Sequence, residues 1–224
     1  SGITVSGQDA RITRNLIRAN NMNGVGISAT QPSRRVEIDH NEFTGSLSTK
    51  SGDWVFRILT RHECSDRSNH YVHHNYMNDV TGKNTGRSSA IMTGWGLVCR
   101  GEIPTGGRSG NVIEYNLISN WPAGSGIRTK SGFNTIRFNT CIKCRAMQNR
   151  LGEQNEYIGN WLEVTDTVRI WDGGHKLVGN RYIGGSVWIG SGNQRWNSGE
   201  VRSHGNSTYI TADESLIVGN TGNF

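Results

Sequence analysis

One pattern returns along nearly the whole chain: a short run of alternating apolar residues, an asparagine, then more alternation. It reads ARITRNLIRAN, VEIDHNEFTG, HYVHHNYMND, NVIEYNLISN, NTIRFNTCIK, NEYIGNWLEV, HKLVGNRYIG and SLIVGNTGN. The shared residues are Asn15, Asn41, Asn75, Asn116, Asn139, Asn160, Asn180 and Asn220, at spacings of 26, 34, 41, 23, 21, 20 and 40. The short spacings converge near twenty, and internal repetition at such a period is the mark of a solenoid. Two-residue apolar alternation makes its elements strands. A 3.6-residue period is found over no useful length, and the shortest repeats leave no room for a helix beside a strand. Short strands joined by Gly/Asn turns, stacked coil on coil, make an all-β parallel β-helix of roughly 20-residue coils. Asparagine at a fixed turn position has a physical reason. Its amide tolerates left-handed backbone angles, bonds neighbouring backbone and builds ladders along a stack.

The 224 residues fit a single domain, 1–224, long enough to bury a sizeable core. The first residues, SGITVSGQ, read as strand, the expectation for a mature form or an excised piece. No run is long enough for a membrane span, so no membrane partner is expected. A net charge of +6 favours anionic partners. Lys and Arg are scattered and no nucleic-acid motif is present, so nucleic acid is not the expected partner. Cys64, Cys99, Cys141 and Cys144 lack a metal spacing with histidine. Cys141 and Cys144 lie on one strand and turn, an awkward geometry for a mutual disulfide, and read as buried thiols. A Cys64–Cys99 bridge stays open.

A second strand precedes the asparagine segment of each coil: VFRIL, AIMTG, GIRTK, AMQNR, VRIWD and VWIGS. Setting Ile127, Met147, Val168 and Val187 inward puts the outward residues in columns. One column holds Lys130, Arg150 and Trp171; its neighbour holds Arg128, Gln148, Arg169 and Trp188. Strands stacked about 4.8 Å apart bring column neighbours into contact. Like charges stacked on a merely solvated face cost stability, which weighs toward function. Cations for carboxylates and rings for sugar faces suit an acidic polysaccharide. Segments 44–69 and 79–110 read as insertions beside this face, from which Arg57, Arg61, His62, Arg100 and Arg108 can reach a substrate.

Taken together, NHYVHHNYMND, VIEYNLISN, IRTKSGFNTIRFNTCIKC, NRLGEQNEYIGN and VRIWDGGHKLVGNRYIGG resemble polysaccharide lyase family 6, the group of alginate lyases and chondroitinase B. The most specific part is Lys-Ser-x-x-Asn-Thr at residue 130, followed at residue 150 by Arg-x-Gly. The resemblance implies a right-handed β-helix that cleaves a uronic-acid polysaccharide, alginate foremost, by β-elimination. It puts the catalytic lysine at Lys130 and the catalytic arginine at Arg150. The expected location is secreted or periplasmic, or within a viral tail particle.

β-Elimination removes the C5 proton beside a carboxylate and expels the 4-linked sugar. It needs a neutralised carboxylate, a base, and an acid or anion stabiliser. Lys130 serves as base when neutral, and a neighbouring Arg150 disfavours its ammonium. Arg150 hardly ever deprotonates, so it reads better as an enolate stabiliser that orients a water than as the acid. The family's two acidic calcium ligands, seven and five residues before the lysine, fall here on Ala123 and Ser125. No metal or other cofactor is therefore expected, and Arg128 is expected to supply the neutralising charge.

Fold alone does not choose the activity. The Asp-Pro-His-Glu motif of an alginate-type epimerase is absent. A hydrolase wants paired carboxylates, and Asp166 and Asp172 find no convincing partner in the sequence. The alternative reading is a non-catalytic glycan-binding or tailspike-type β-helix.

Overall fold

The strands come in threes, each three making one turn of the chain. The computed structural model describes residues 2–22, 25–30, 33–47, 54–58, 67–81, 88–94, 109–152, 154–171, 174–190 and 216–221. The first coil holds β1 (Ile3–Val5), β2 (Arg11–Thr13) and β3 (Leu16–Met22). The second holds β4 (Val25–Ala29), β5 (Glu37–Asp39) and β6 (Glu42–Leu47). The third holds β7 (Trp54–Ile58), β8 (Tyr71–His73) and β9 (Tyr76–Thr81). Next come β10 (Ser88–Thr93), β11 (Val112–Glu114) and the long β12 (Leu117–Lys130), which closes one coil and opens the next. β13 (Thr135–Arg137) leads into β14 (Thr140–Leu151), which again belongs to two coils. β15 (Glu156–Ile158), β16 (Trp161–Val164), β17 (Thr167–Trp171), β18 (Lys176–Val178) and β19 (Arg181–Ile183) follow. β20 (Ser186–Gly190) and β21 (Leu216–Val218) are the last described strands.

Every strand pairs in parallel with its counterpart one coil away. The first sheet runs β1-β4-β7-β10-β12-β14-β17-β20. The second runs β2-β5-β8-β11-β13-β15-β18-β21, and the third β3-β6-β9-β12-β14-β16-β19. Because β12 and β14 pass unbroken from third sheet to first, those two sheets are joined. The architecture is a stacked, curled, parallel β-helix-like fold. From β2 to β18 the middle residue of each second-sheet strand faces inward, and from Ile12 through Ile136 to Leu177 these residues are buried.

The eight asparagines form one continuous ladder between the second and third sheets. Each Nδ2 donates to the Oδ1 of the asparagine one coil on, at 2.8–3.1 Å, from Asn15 to Asn220. That same Oδ1 also accepts the preceding asparagine's backbone N–H. Backwards, each Nδ2 from Asn41 onward reaches a strand carbonyl of the previous coil, such as Asn139 to Ile113 O at 2.9 Å. One amide thus satisfies the backbone groups that a buried corner would otherwise orphan.

The left-handed angle expected at these asparagines falls one residue earlier. Arg14, His40, His74, Tyr115, Phe138, Gly159, Gly179 and Gly219 take φ between 51° and 62°. The left-handed residue turns the chain and points outward, which leaves the asparagine free to point in. Glycine takes this angle without cost, whereas a side chain there costs roughly 1 kcal/mol. In the earlier coils that cost is offset by stacking. His40, His74, Tyr115 and Phe138 lie ring on ring at 5.2–5.3 Å. Phe138 in turn covers Gly159, where a Cβ would strike its ring.

A second ladder, which the repeat did not bring to notice, runs along the other corner of the second sheet. Val36 N–H donates to His70 Nδ1, His70 N–H to Asn111 Oδ1 and Asn111 N–H to Asn134 Oδ1. Asn134 N–H then donates to Asn155 Oδ1, and Asn155 N–H to His175 Nδ1. Its sequence signal is an Asn or His five residues ahead of the main asparagine, as in His70/Asn75 and Asn134/Asn139.

The cysteine expectation is corrected. Cys141 and Cys144 are joined in a disulfide, with Cα atoms 5.8 Å apart. A straight strand would hold residues three apart on opposite faces, but Lys143 takes φ 53° and bends β14 between them. Both sulfurs therefore face the core, and they fill the space beneath Gly126, where a Cβ would overlap the Cys141 sulfur. Cys64 and Cys99 lie outside the described residues.

Position along the ladder sets the cost of losing a rung. Asn139→Ala removes the donor to Asn160 and leaves Asn116 without its acceptor, all in buried surroundings. It should cost about 3 kcal/mol in urea unfolding. Asn15→Ala, at the part-buried first rung of the described ladder, should cost under about 1 kcal/mol. Equal losses would mean that the ladder is not a cooperative support.

Acid should unfold the second ladder's histidines first. Burial lowers the His70 imidazole to about 4 and also lowers that of His175. The unfolded chain binds these protons from about pH 6.5 downward while the fold does not, so stability falls as pH drops from there toward 4. His70 alone should account for about 3 kcal/mol at full extent. Thermal melts across this range should show a shallower slope for His70→Asn, whose amide can accept the same N–H.

Candidate active site

The outer face of the first sheet carries the cationic columns. Register sets Arg57, Met92, Arg128, Gln148, Arg169 and Trp188 opposite one another in turn across β7, β10, β12, β14, β17 and β20. Arg128, Gln148, Arg169 and Trp188 thus share one backbone column. Gln148 and Arg169 are partly exposed, while the side chains of Arg57 and Trp188 lie outside the described residues. Arg61, His62, Arg100, Arg108 and Asp172 lie outside them altogether.

Lys130 and Arg150 meet differently from the expected stack. Thr129 pairs with Asn149, but Lys130 pairs with Leu151, with a shift of register between the two. Arg150 is the extra residue of a β-bulge, a device that re-aims side chains and recurs beside active sites. The Lys130–Arg150–Trp171 column is corrected accordingly: the two cations occupy adjoining strand ends but not one rung. The cause lies on the inner face. Thr129 Oγ1 donates to Asn149 Oδ1 at 2.6 Å and lies 3.1 Å from Tyr157 OH, which pins that pair in register. Just beyond, Gly152 backs onto the Ser131–Gly132 peptide so closely that a Cβ would overlap it. The strand end is thereby set one residue further along.

Trp171 also departs from expectation. Its side chain is only 2% exposed, so its ring is not offered to solvent. Asn149 Nδ2 and His175 Nε2 both donate to its carbonyl, drawing the end of β17 in against the second ladder.

Arg128 was expected as a surface cation and is instead 2% exposed. Its Nη2 donates to Ser125 Oγ at 3.2 Å. Burial, reinforced by the nearby charge of Arg145, pushes its guanidinium down to about 10. Arg145 itself reaches Asp166 at 3.3 Å, which gives that carboxylate a structural partner. The expected calcium positions do not fit a metal. Ser125 Oγ faces a guanidinium, and Ala123 has no oxygen on its side chain.

Beyond Lys130 the chain turns through Ser131 and Gly132 into a flank cavity of about 640 Å³. Phe133, Gln154, Lys176 and Arg67 line it, giving a ring, an amide and two cations. The second sheet's outer face holds a further polar group that the sequence reading passed over. Burial alone would raise the Glu114 carboxyl, but bonds from Tyr71 and Arg137 outweigh it and hold it below its ordinary value.

No family model matches the chain, and no curated protein does. Among solved structures it is similar to the alginate lyase AlyF-OU02, in a ligand complex, at 15% identity and TM-score 0.51. That match covers 97% of this chain and 54% of the lyase. It is also similar to a PL6 alginate lyase in complex with a trisaccharide, at 16% identity and TM-score 0.51. There the match covers 84% of this chain and 54% of the other. The likeness is one of fold, and the chain spans about half the length of each.

Burial holds the Arg128 guanidinium below its ordinary value, so the site disfavours its charge. Arg128→Met, which keeps the stem and removes the charge, should raise unfolding stability by about 1 kcal/mol. A large loss in the same urea titration would assign Arg128 to the scaffold instead.

Proposed function

We propose that this chain is a polysaccharide lyase that cleaves a uronic-acid-containing polysaccharide, alginate foremost, by β-elimination. The observation that carries the reading is the bulge at the ends of β12 and β14, which leaves Arg150 as the extra residue before the Lys130–Leu151 pair, at the edge of the column that holds Arg128, Gln148 and Arg169. The fold likeness to solved alginate lyases supports it. Neutral Lys130 takes the C5 proton on its Nζ. The released electron pair forms the C4–C5 double bond as the C4–O4 bond breaks. Arg150 stabilises the enolate and orients the water that protonates the departing oxygen. Arg128 offsets the substrate carboxylate in place of calcium, while Gln148, Arg169, Trp171 and Trp188 bind the sugars. For Arg128 and Trp171, each 2% exposed, these roles require the side chain to be uncovered on binding.

A non-catalytic glycan-binding reading is favoured by one observation: Ala123 and Ser125 stand where the family carries acidic ligands. A panel of alginate, chondroitin, dermatan and pectate separates the two. Lyase action gives an unsaturated product that absorbs in the ultraviolet. Lys130→Ala should reduce the rate about 10²- to 10⁴-fold, and a chelator should leave the rate unchanged. Binding without product, indifferent to Lys130→Ala, favours the second reading. Activity lost to chelator and restored by calcium overturns the metal-free mechanism.

A further inference from the structure

The second ladder turns its corner by the same rule as the first. Phe133, Gln154 and Gly174 precede the rungs Asn134, Asn155 and His175, and take left-handed φ angles of 60°, 53° and 66°. Gly110 does the same before Asn111, at 63°. A side chain at such a position is thrown outward, but the two glycines have none to throw. The outer column is therefore open on either side of Phe133 and Gln154. Beside Gly110 a Cβ would come within 2.5 Å of Asn69 Oδ1 and 3.6 Å of Arg67 Cδ, so those two side chains lie across the gap. Beside Gly174 it would stand 3.1 Å from Gln154 Cγ. This corner holds the flank cavity of about 640 Å³, within the roughly 300–1,000 Å³ typical of small-molecule sites.

The cavity floor is buried and its polar groups are engaged. Asn134 and His175 are 0% and 1% exposed. Asn134 Oδ1 accepts from Ser109 Oγ at 2.6 Å, and its Nδ2 donates to Asn155 Oδ1 at 2.9 Å. His175 accepts the Asn155 N–H on Nδ1 and donates from Nε2 to the Trp171 carbonyl. The groups open to a ligand belong to the walls. Thr135, Glu156 and Lys176 stand opposite one another in turn on β13, β15 and β18. Lys176 Nζ lies 3.6 Å from Glu156 Oε1, with the two side chains 44% and 42% exposed. An ion pair that open contributes little, so its ammonium can turn to a ligand. Arg67 and Gln154 are exposed, and Phe133 is half-buried. A phosphate would call for cations alone, yet Glu156 stands among them. A small body with a carboxylate, hydroxyls and an apolar face matches the whole set. The cations take the carboxylate, Glu156, Gln154 and Thr135 take hydroxyls, and Phe133 takes the C–H face.

We propose that this cavity is a uronate subsite separate from the cationic face, holding a sugar unit of the polysaccharide away from the cleavage point. Its own chemistry demands a carboxylated sugar; that the sugar belongs to the cleaved polymer rests on the lyase reading. Only Ser131 and Gly132 separate Lys130 from Phe133, a stretch of chain that spans at most about 11 Å. One polymer can therefore occupy both face and cavity. A unit held in the cavity keeps the rest of the polymer at high effective concentration over the face. Loss of the subsite should raise KM on long substrates while leaving kcat, and KM on short ones, in place.

Nitrogen-15 NMR of the unmodified chain, titrated with dimannuronate, diguluronate and uncharged cellobiose, tests the site directly. The Gln154 side-chain amide and the backbone amides of Phe133 and Lys176 should shift saturably with a uronate and stay in place with cellobiose. Arg67→Gln and Lys176→Gln should each weaken that binding about five- to tenfold. Signals unmoved by both uronates at millimolar concentration, equal shifts with cellobiose, or an affinity unchanged in either variant, overturn the proposal. These outcomes are separable from those of the lyase reading. Unsaturated product from alginate with the three signals unmoved sinks the subsite alone, while binding here without product sinks the lyase alone.

Discussion

A solenoid of three-residue strands has a difficulty at its corners. The chain must turn sharply every few residues, and each turn leaves backbone N–H and C=O groups facing a core from which water is excluded. The asparagine ladder resolves this. Each amide has two donors and an acceptor with two lone pairs. Here one donor reaches the next rung and another reaches back to a carbonyl, as Asn139 does to Asn160 and Ile113. The acceptor takes both N–H groups of the rung before. No other side chain of that size matches the demand. Every coil is held to its neighbours through the same atoms, so register is set along the whole stack.

With the asparagine committed inward, the turning angle must be taken by another residue. It passes to the preceding residue, whose side chain is thrown outward. That displacement creates the outer columns. Where the residue is glycine, as at Gly159 and Gly179, the corner is bare. Where it is His, Tyr or Phe, stacked rings accumulate. The imidazole pair of His40 and His74 is thus a by-product of the corner geometry, orientated by the acids of the adjoining strands.

The first sheet shows how local departures accumulate on such a regular frame. The column from Arg128 to Trp188 follows the repeat because β12, β14, β17 and β20 pair in register at those residues. One residue further on, Thr129 and Asn149 form with Tyr157 a polar knot inside the helix, and the strand end beyond it slips by one. Residue counting aligned Lys130 with Arg150, twenty residues on, and could not register that slip. The disulfide was misjudged for a similar reason. A spacing of three excludes a bridge on a straight strand, and the bend at Lys143 lies in the backbone, not in the residue names.

The period, the alternation and the eight asparagines were sufficient to determine the all-β stacked fold, because repetition of a buried polar group at one position admits few other structures. The chemistry-bearing residues were legible too, since lysine and arginine on otherwise regular outward positions stand out. What only the tertiary structure decided was where those side chains go. It buried Arg128 and Trp171, moved Arg150 onto a bulge, closed Cys141 on Cys144, and set His40 parallel to His74. Each of these depends on contacts between coils, at separations that vary from 20 to 41 residues along the ladder. Sequence spacing carries the rhythm of such a chain, while the exact rung on which a side chain lands is set by its neighbours above and below.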